Sequence, residues 1–158
     1  MNLEQAKTVF DDDQIEFFDN KVDFDTVIKI LSKKLSEKKL VKQEFSKNVI
    51  EREKKFPTGL PTKPIGVSIP HTDAKWTKQN AISVAILQQP IEQVVMGTTD
   101  EKIEVSIVFL LALSQSNKQL NILSKLMTVF QNNQNLKQIK NGTKTEIREI
   151  IQKAIWEE

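Results

Sequence analysis

The chain has 158 residues, of which 39% are hydrophobic, and a length of this order is enough to bury a core of its own. We therefore expect one domain over residues 1–158, with its core at about 14–155. The 23 basic and 21 acidic residues are interspersed and leave a formal net charge of +2, so no broad basic face for nucleic acid is expected. The absence of cysteine excludes disulfides, thiolate catalysis and sulfur-ligated metals.

The N-terminal stretch MNLEQAKTVFDDDQ lacks the basic start and apolar run of a secretory signal. No segment approaches the roughly 20 apolar residues that are needed to span a bilayer. We therefore expect a cytoplasmic protein that reaches a membrane only through another protein.

The first predicted elements are a short strand and a helix. Ile15 to Phe18 can form the strand, and Asp23 can cap the helix. Four apolar residues recur behind that cap at helical spacing: Val27, Ile28, Leu31 and Leu35. The helix should end near Lys38 and Lys39, because their charges suit its C-terminal dipole.

A second helix is predicted from about Lys42 to Lys55. Phe45 and Val49 lie four residues apart, and Phe56 extends their apolar stripe just beyond the end of the helix. Arg52 falls within the stripe, because seven residues make almost two full turns. The pattern therefore directs Arg52 toward the core, where it either serves a site or pairs with an acidic residue at the rim.

The segment FPTGLPTKPIGVSIPH holds four of the five prolines and two of the four glycines. Proline fixes φ and glycine permits turns, so the segment is typical of a stiff, ordered loop. We expect this loop to lead into a short strand over Ile65 to Ile69, and the segment to end at His71, the only histidine.

Two apolar runs follow, Ala81 to Leu87 and Val105 to Leu113, and their β-branched residues are typical of central strands covered on both faces. Two capping-box patterns then open helical segments: Ser116 with Gln119, and Thr143 with Glu146. The order of elements predicts an α/β sandwich with a mixed sheet flanked by helices on both faces.

The chemistry open to His71 is limited by what surrounds it in the sequence. A neutral imidazole has one ring nitrogen free to attack phosphorus or to bind a metal, but one histidine cannot make a histidine-rich metal site. Nucleophile-elbow, Gly-rich phosphate-loop and EF-hand spacings are all absent. General acid–base catalysis, covalent phosphoryl transfer and a structural role remain open for His71. Arg52 is a candidate partner of a phosphoryl group, and the Thr72 hydroxyl could hold either a ring nitrogen or a phosphoryl oxygen.

The run REKKFPTGLPTKPIGVSIPHTDAKW, the later pair Met96–Gly97 and the strand VFLLAL together resemble the Enzyme IIA components of the bacterial phosphoenolpyruvate-dependent sugar phosphotransferase system. The likeness lies within the fructose and mannitol class, is nearest to its galactitol-type branch, and covers about Asp23 to Ile155. It implies a mixed sheet flanked by helices, a phosphotransferase activity through a phosphohistidine, and no metal or other cofactor.

The resemblance also implies partners and roles. His71 would accept a phosphoryl group from the carrier HPr and pass it to a IIB component, which phosphorylates a sugar entering through a membrane IIC protein. Arg52 matches the arginine of the family site. Gln119 stands where many relatives have a second histidine, and it either contacts the phosphoryl group or serves only its capping box.

Further assignments are weaker alternatives. Asp73 either orients the imidazole or, as is more usual for a turn aspartate, binds its own backbone. Carriers would dock on apolar surface near His71, for which Ile69, Trp76 and Met96 are candidates, although Trp76 could equally be a packing residue. A phosphorylation-dependent regulatory module, and a scaffold with an inert histidine, are the competing functions.

Overall fold

A mixed five-stranded sheet organises the part of the chain that the computed structural model describes, residues 8–114 and 116–156 without the side chains of 116–120. The strands lie in the order β1-β4-β5-β3-β2. Their bounds are β1 Ile15–Phe18, β2 Gly59–Leu60, β3 Val67–Ser68, β4 Ala81–Val94 and β5 Lys102–Ala112. β4 and β5 form the antiparallel centre, β1 and β3 join them in parallel, and β2 pairs antiparallel with β3.

Helices cover both faces of this sheet, which confirms the predicted fold class. α1 (Phe24–Glu37) and α2 (Phe45–Lys55) share one buried apolar cluster with Ala85 and Leu87 of β4. α3 (Ser116–Phe130), α4 (Asn133–Asn141) and α5 (Lys144–Trp156) share a second cluster with Val84 and Ile86. Neighbouring residues of a strand point to opposite faces, so the two clusters lie on opposite sides of the sheet.

Two of the predicted helix caps are confirmed. The Asp23 carboxylate accepts the backbone N–H of Thr26 at 2.8 Å and opens α1. Thr143 and Glu146 form the reciprocal capping box of α5, at 3.0 and 3.2 Å. The side chains of the other predicted box, Ser116 with Gln119, lie outside the described residues.

Several element bounds differ from the prediction. α2 begins at Phe45 rather than Lys42, and the strand predicted over Ile65 to Ile69 is reduced to β3, Val67–Ser68. The N–H of Ile69 still donates to the carbonyl of Thr58 at 3.3 Å, in register with the pairing of β2 and β3. β4 continues past Leu87 to Val94 through an irregularity in its pairing with β5. None of the described helices has the length and apolarity to cross a bilayer.

Candidate functional site

His71 lies in the loop that follows β3, and backbone hydrogen bonds hold the two residues before it. The carbonyl of Pro70 accepts the N–H of Leu111 in β5 at 3.0 Å. The N–H of Ile69 donates to the carbonyl of Thr58 at 3.3 Å. The sheet therefore fixes the chain immediately ahead of the half-buried histidine.

The imidazole of His71 is oriented by the main chain. Its Nδ1 lies 2.8 Å from the carbonyl oxygen of Ile69. A carbonyl oxygen can only accept, so Nδ1 carries the proton and the neutral ring keeps its free electron pair on Nε2. Thr72, whose hydroxyl was a candidate for holding a ring nitrogen, is itself buried, and the Ile69 carbonyl takes that role.

The protonation of His71 depends on burial and on two flanking charges. Burial is the largest effect and lowers the pKa of His71 from its ordinary value of 6.5. The hydrogen bond to Ile69 raises this pKa, Arg52 lowers it and Asp73 raises it, each less strongly than burial. The net direction is downward, so the ring stays neutral and nucleophilic near neutral pH.

Three segments enclose a cleft of about 330 Å³ beside His71. They are the end of α2 with the loop 56–58, the histidine itself, and the turn 96–99 between β4 and β5. The carbonyl of Thr58 accepts from Ile69, and the carbonyl of Gly59 accepts from Met96 at 2.8 Å. The Thr58–Gly59 backbone therefore ties the histidine loop to the turn.

Arg52 lies on the wall of the same cleft, as the sequence placed it near the histidine. Its side chain is 36% exposed and pairs with an acidic residue at the rim, which is one of the two alternatives given for it. Nη1 lies 3.4 Å from Oδ1 of Asp73, and the guanidinium sits 5.1 Å above the ring of Phe56. Its Nε is buried without a hydrogen-bond partner. This donor and the fork remain suited to an incoming anion.

Asp73 does not have the role that its turn position favoured. It occupies the position before a short 3-10 helix, Ala74–Trp76, but its side chain makes no cap hydrogen bond there. The carboxylate instead faces Arg52. It does not hold the His71 ring either, because the Ile69 carbonyl has taken Nδ1.

The three apolar docking candidates have different positions. Met96 is 43% exposed and lines the cleft, as a docking residue should. Ile69 is buried, so its assignment to a docking surface is wrong; its backbone carbonyl serves the site instead. Trp76 packs against the α1–α2 core cluster, which is the alternative given for it. Phe56, expected on the apolar stripe, is 59% exposed on the rim and was missed as a candidate.

Glu53 is a second residue of the site that the sequence patterns did not single out. Its carboxylate accepts the backbone N–H of Thr58 at 2.9 Å, the Thr58 hydroxyl at 2.8 Å and the amide of Gln93 at 3.2 Å. Burial raises the pKa of Glu53, against these hydrogen bonds, which lower it. The signal lay in helix geometry: at about 100° per residue, Glu53 falls between Val49 and Ile50 on the buried arc, whereas Arg52 falls at its edge.

Gln119 cannot be placed relative to His71, because its side chain lies outside the described residues. Within 8–114 and 121–156, no group of three or more acidic, histidine or cysteine side chains is arranged to hold a metal ion. The site is thus described by an imidazole, a guanidinium, a carboxylate and an apolar rim.

Comparison with known proteins identifies the class to which this fold and site belong. The family model of the phosphoenolpyruvate-dependent sugar phosphotransferase system, EIIA 2, matches residues 8–154. The chain therefore belongs to this EIIA family, whose members are phosphotransferase components.

Individual relatives are more distant. The chain is 35% identical over 92 residues to the transcriptional regulator ManR of Bacillus subtilis (strain 168); the match covers 58% of this chain and only 13% of the regulator. Its fold is similar to that of a putative PTS IIA (PtxA) from Streptococcus mutans, with a TM-score of 0.74, 22% identity, and coverage of 98% of this chain and 95% of the other.

A second similar fold is that of enzyme IIA-Mtl in a complex with phosphorylated enzyme IIB-Mtl from Escherichia coli. The TM-score is 0.70 at 14% identity, with coverage of 87% of this chain and 94% of the other. The mixed sheet with helices on both faces is thus the architecture of mannitol-type EIIA structures.

Proposed function

We propose that this chain, as a single EIIA domain over residues 1–158, carries a phosphoryl group on Nε2 of His71. The group would come from the phosphohistidine of HPr and pass to a IIB component for the uptake of a galactitol-like sugar. The observation that carries the proposal is the hydrogen bond of Nδ1 to the Ile69 carbonyl, which leaves Nε2 as the nucleophilic nitrogen. No nucleic acid or membrane contact of this chain is part of the proposal, and IIC would take part only indirectly.

The transfer step balances without a cofactor. The electron pair of Nε2 forms a bond to phosphorus while the nitrogen–phosphorus bond of the donor breaks and its pair returns to the donor imidazole. Nδ1 keeps its proton, so the phosphorylated ring is cationic. The Ile69 carbonyl is placed to stabilise this charge, because a hydrogen bond from a charged donor is stronger than one from a neutral donor.

Arg52 would stabilise the charge on the phosphoryl oxygens. It lines the cleft with His71, and its planar fork can bind two oxygens at once. Lys55 lines the same cleft and adds a second cation, while Thr72 and Gln119 remain supporting candidates without a described contact.

Carriers would dock on the apolar rim formed by Phe56 and Met96. Both side chains are exposed and line the cleft, and excluding water there favours transfer between two proteins. The IIA–IIB complex among the similar folds supports a IIB partner. The lack of cysteine suits the cytoplasm, where we propose that the exchange takes place.

A second function is supported by one specific comparison, the identity to a segment of the transcriptional regulator ManR. In that case, phosphorylation of the same histidine acts as a signal to a transcription regulator or a transporter. The two functions differ in whether the phosphorylated chain transfers its group to a IIB protein.

The test is incubation of the whole chain with phosphoenolpyruvate, Enzyme I and HPr, followed by mass measurement. We expect a gain of one acid-labile phosphoryl group that is absent in His71→Ala. An unchanged wild-type mass, or the same gain in His71→Ala, would overturn the proposal. Transfer of the label to a galactitol-type IIB would favour uptake, and its failure would favour the regulatory function.

A further inference from the structure

Glu53 connects three parts of the fold around the site. It projects from α2 on the same buried arc as Val49 and Ile50. Its carboxylate accepts two hydrogen bonds from Thr58, in the loop after α2, and one from Gln93 in β4. Helix, loop and sheet therefore meet at one acidic group.

A continuous series of contacts runs from this carboxylate to the nucleophile. Glu53 fixes both the N–H and the hydroxyl of Thr58. The carbonyl of the same Thr58 accepts the N–H of Ile69, and the carbonyl of Ile69 accepts Nδ1–H of His71. The series passes through only two residues, Thr58 and Ile69, each of which is held by hydrogen bonds at both its N–H and its C=O, so a shift at Thr58 is passed to the histidine ring.

The number of donors indicates that Glu53 does more than fill space. A half-buried carboxylate loses part of its hydration and is costly unless donors satisfy it, and here three donors converge on it. An apolar residue at this position would fill the volume and would leave the N–H of Thr58 without its present partner. The loop would then be free to move by the small distances to which phosphoryl transfer is sensitive.

We propose that Glu53 is a positioning residue that sets the orientation and tautomer of His71 through Thr58 and Ile69. The inference rests on the proposed function of His71, since it concerns the same nucleophile. Glu53 itself does not touch the reacting atoms.

The first variant pair is Glu53→Ala, which removes all three hydrogen bonds, and Glu53→Gln. A glutamine can accept the Thr58 N–H through its oxygen and donate to the Thr58 hydroxyl through its amide, so it retains both contacts. The matched control is Glu51→Ala, two residues away on the exposed face of α2. Thr58→Val, which removes only the hydroxyl contact, repeats the test in case Glu53→Ala does not fold.

The first readout is the ¹⁵N spectrum of the imidazole, which needs no phosphoryl donor and is unambiguous because the chain has one histidine. We expect the wild type, Glu51→Ala and Glu53→Gln to hold the proton on Nδ1. Glu53→Ala or Thr58→Val should show a mixture of tautomers. Wild-type ring signals in Glu53→Ala, or in Thr58→Val where Glu53→Ala does not fold, would overturn the inference.

The second readout is the rate of phosphoryl acceptance by folded protein at saturating phosphorylated HPr. We expect Glu53→Ala to be slower by about ten- to a hundredfold, with a nearly unchanged half-saturating concentration, and Glu53→Gln to recover most of the rate. A wild-type rate in Glu53→Ala would overturn the positioning role while the carrier function stands. An unphosphorylated wild type would instead remove the carrier function, and the ring spectrum would still test the positioning.

Discussion

Nη1 of Arg52 lies 3.4 Å from Oδ1 of Asp73, two residues beyond the histidine. The two side chains are 36% and 65% exposed, so solvent screens the pair and its contribution to stability is about 0–1 kcal/mol. In the proposed function, a phosphoryl group on His71 would offer the guanidinium more negative charge and two oxygens in place of one carboxylate contact. Arg52 is therefore held near His71 and can exchange partners at low cost.

Replacing Arg52 should slow phosphoryl acceptance without unfolding the chain. Loss of one charged donor to the transferred group typically costs about 10²-fold in rate, and we expect Arg52→Ala to fall in that range. The measurement is the rate of mass gain with phosphorylated HPr in excess. Arg148→Ala is the control. Arg148 lies on α5, its Nη1 is 2.8 Å from Oδ1 of Asp12, and it does not line the cleft. Equal rates in the two variants would remove Arg52 from the mechanism.

The single histidine allows a direct titration by NMR. We expect its pKa to lie below 6.5, because burial disfavours the charged ring. Arg52→Ala should raise this pKa by removing a repelling cation, and Asp73→Asn should lower it further by removing an attracting anion. A lower pKa in Arg52→Ala, or a higher one in Asp73→Asn, would contradict the arrangement of charges around the ring.

The same shift has a consequence for stability. Since the folded pKa lies below the unfolded value, the unfolded chain binds the proton first, and His71 makes the fold less stable as pH falls through 6.5. When the pH is lowered from neutral to below the folded pKa, the free energy of unfolding should therefore fall more in the wild type than in His71→Gln, which has no imidazole to protonate. Parallel pH profiles in chemical denaturation would contradict this expectation.

The docking rim can be tested with two equally exposed residues. Met96 and Phe17 are both 43% exposed, but Met96 lines the cleft and Phe17 lies on β1, at the sheet edge opposite β2. A carboxylate at Met96→Asp would be desolvated under a carrier and would repel the phosphoryl group. We expect the half-saturating concentration of phosphorylated HPr to rise roughly tenfold in Met96→Asp and to stay unchanged in Phe17→Asp. Equal values would show that carriers dock elsewhere.

Replacing either of two glycines next to the cleft by alanine should lower the free energy of unfolding, but by different amounts. Gly97 has φ of +81°, and a Cβ added there would meet no neighbouring atom, so Gly97→Ala should cost about 1–2 kcal/mol of unfolding free energy through backbone strain alone. A Cβ on Gly59 would lie 2.6 Å from the carbonyl oxygen of Val94, so the backbone of β2 must shift. We expect Gly59→Ala to be the more destabilising in chemical denaturation and to slow phosphoryl acceptance as well, because Gly59 adjoins Thr58. The reverse order of stability would contradict this account.

Local sequence rules were sufficient for most elements of the fold. Asp23 caps α1 and the Thr143–Glu146 box opens α5, because a cap depends on residues three positions apart in the chain. The two apolar runs became the central strands β4 and β5, because continuous hydrophobic segments must be covered on both faces. The proline- and glycine-rich loop likewise predicted an ordered segment that ends at the lone histidine, and His71 lines the cleft next to it.

Contacts between distant segments decided the rest of the site. The sequence contains no sign that the carbonyl of Ile69 would select the tautomer of His71, that Asp73 would be the acidic partner of Arg52, or that Ile69 would be buried while Phe56 was exposed. Glu53 accepts hydrogen bonds from Thr58 and Gln93 only because the helix and the loop pack on the sheet. Spacing along a chain fixes which residues share a face of one element, but the direction of a buried polar group depends on donors and acceptors that only the folded chain brings within hydrogen-bond distance.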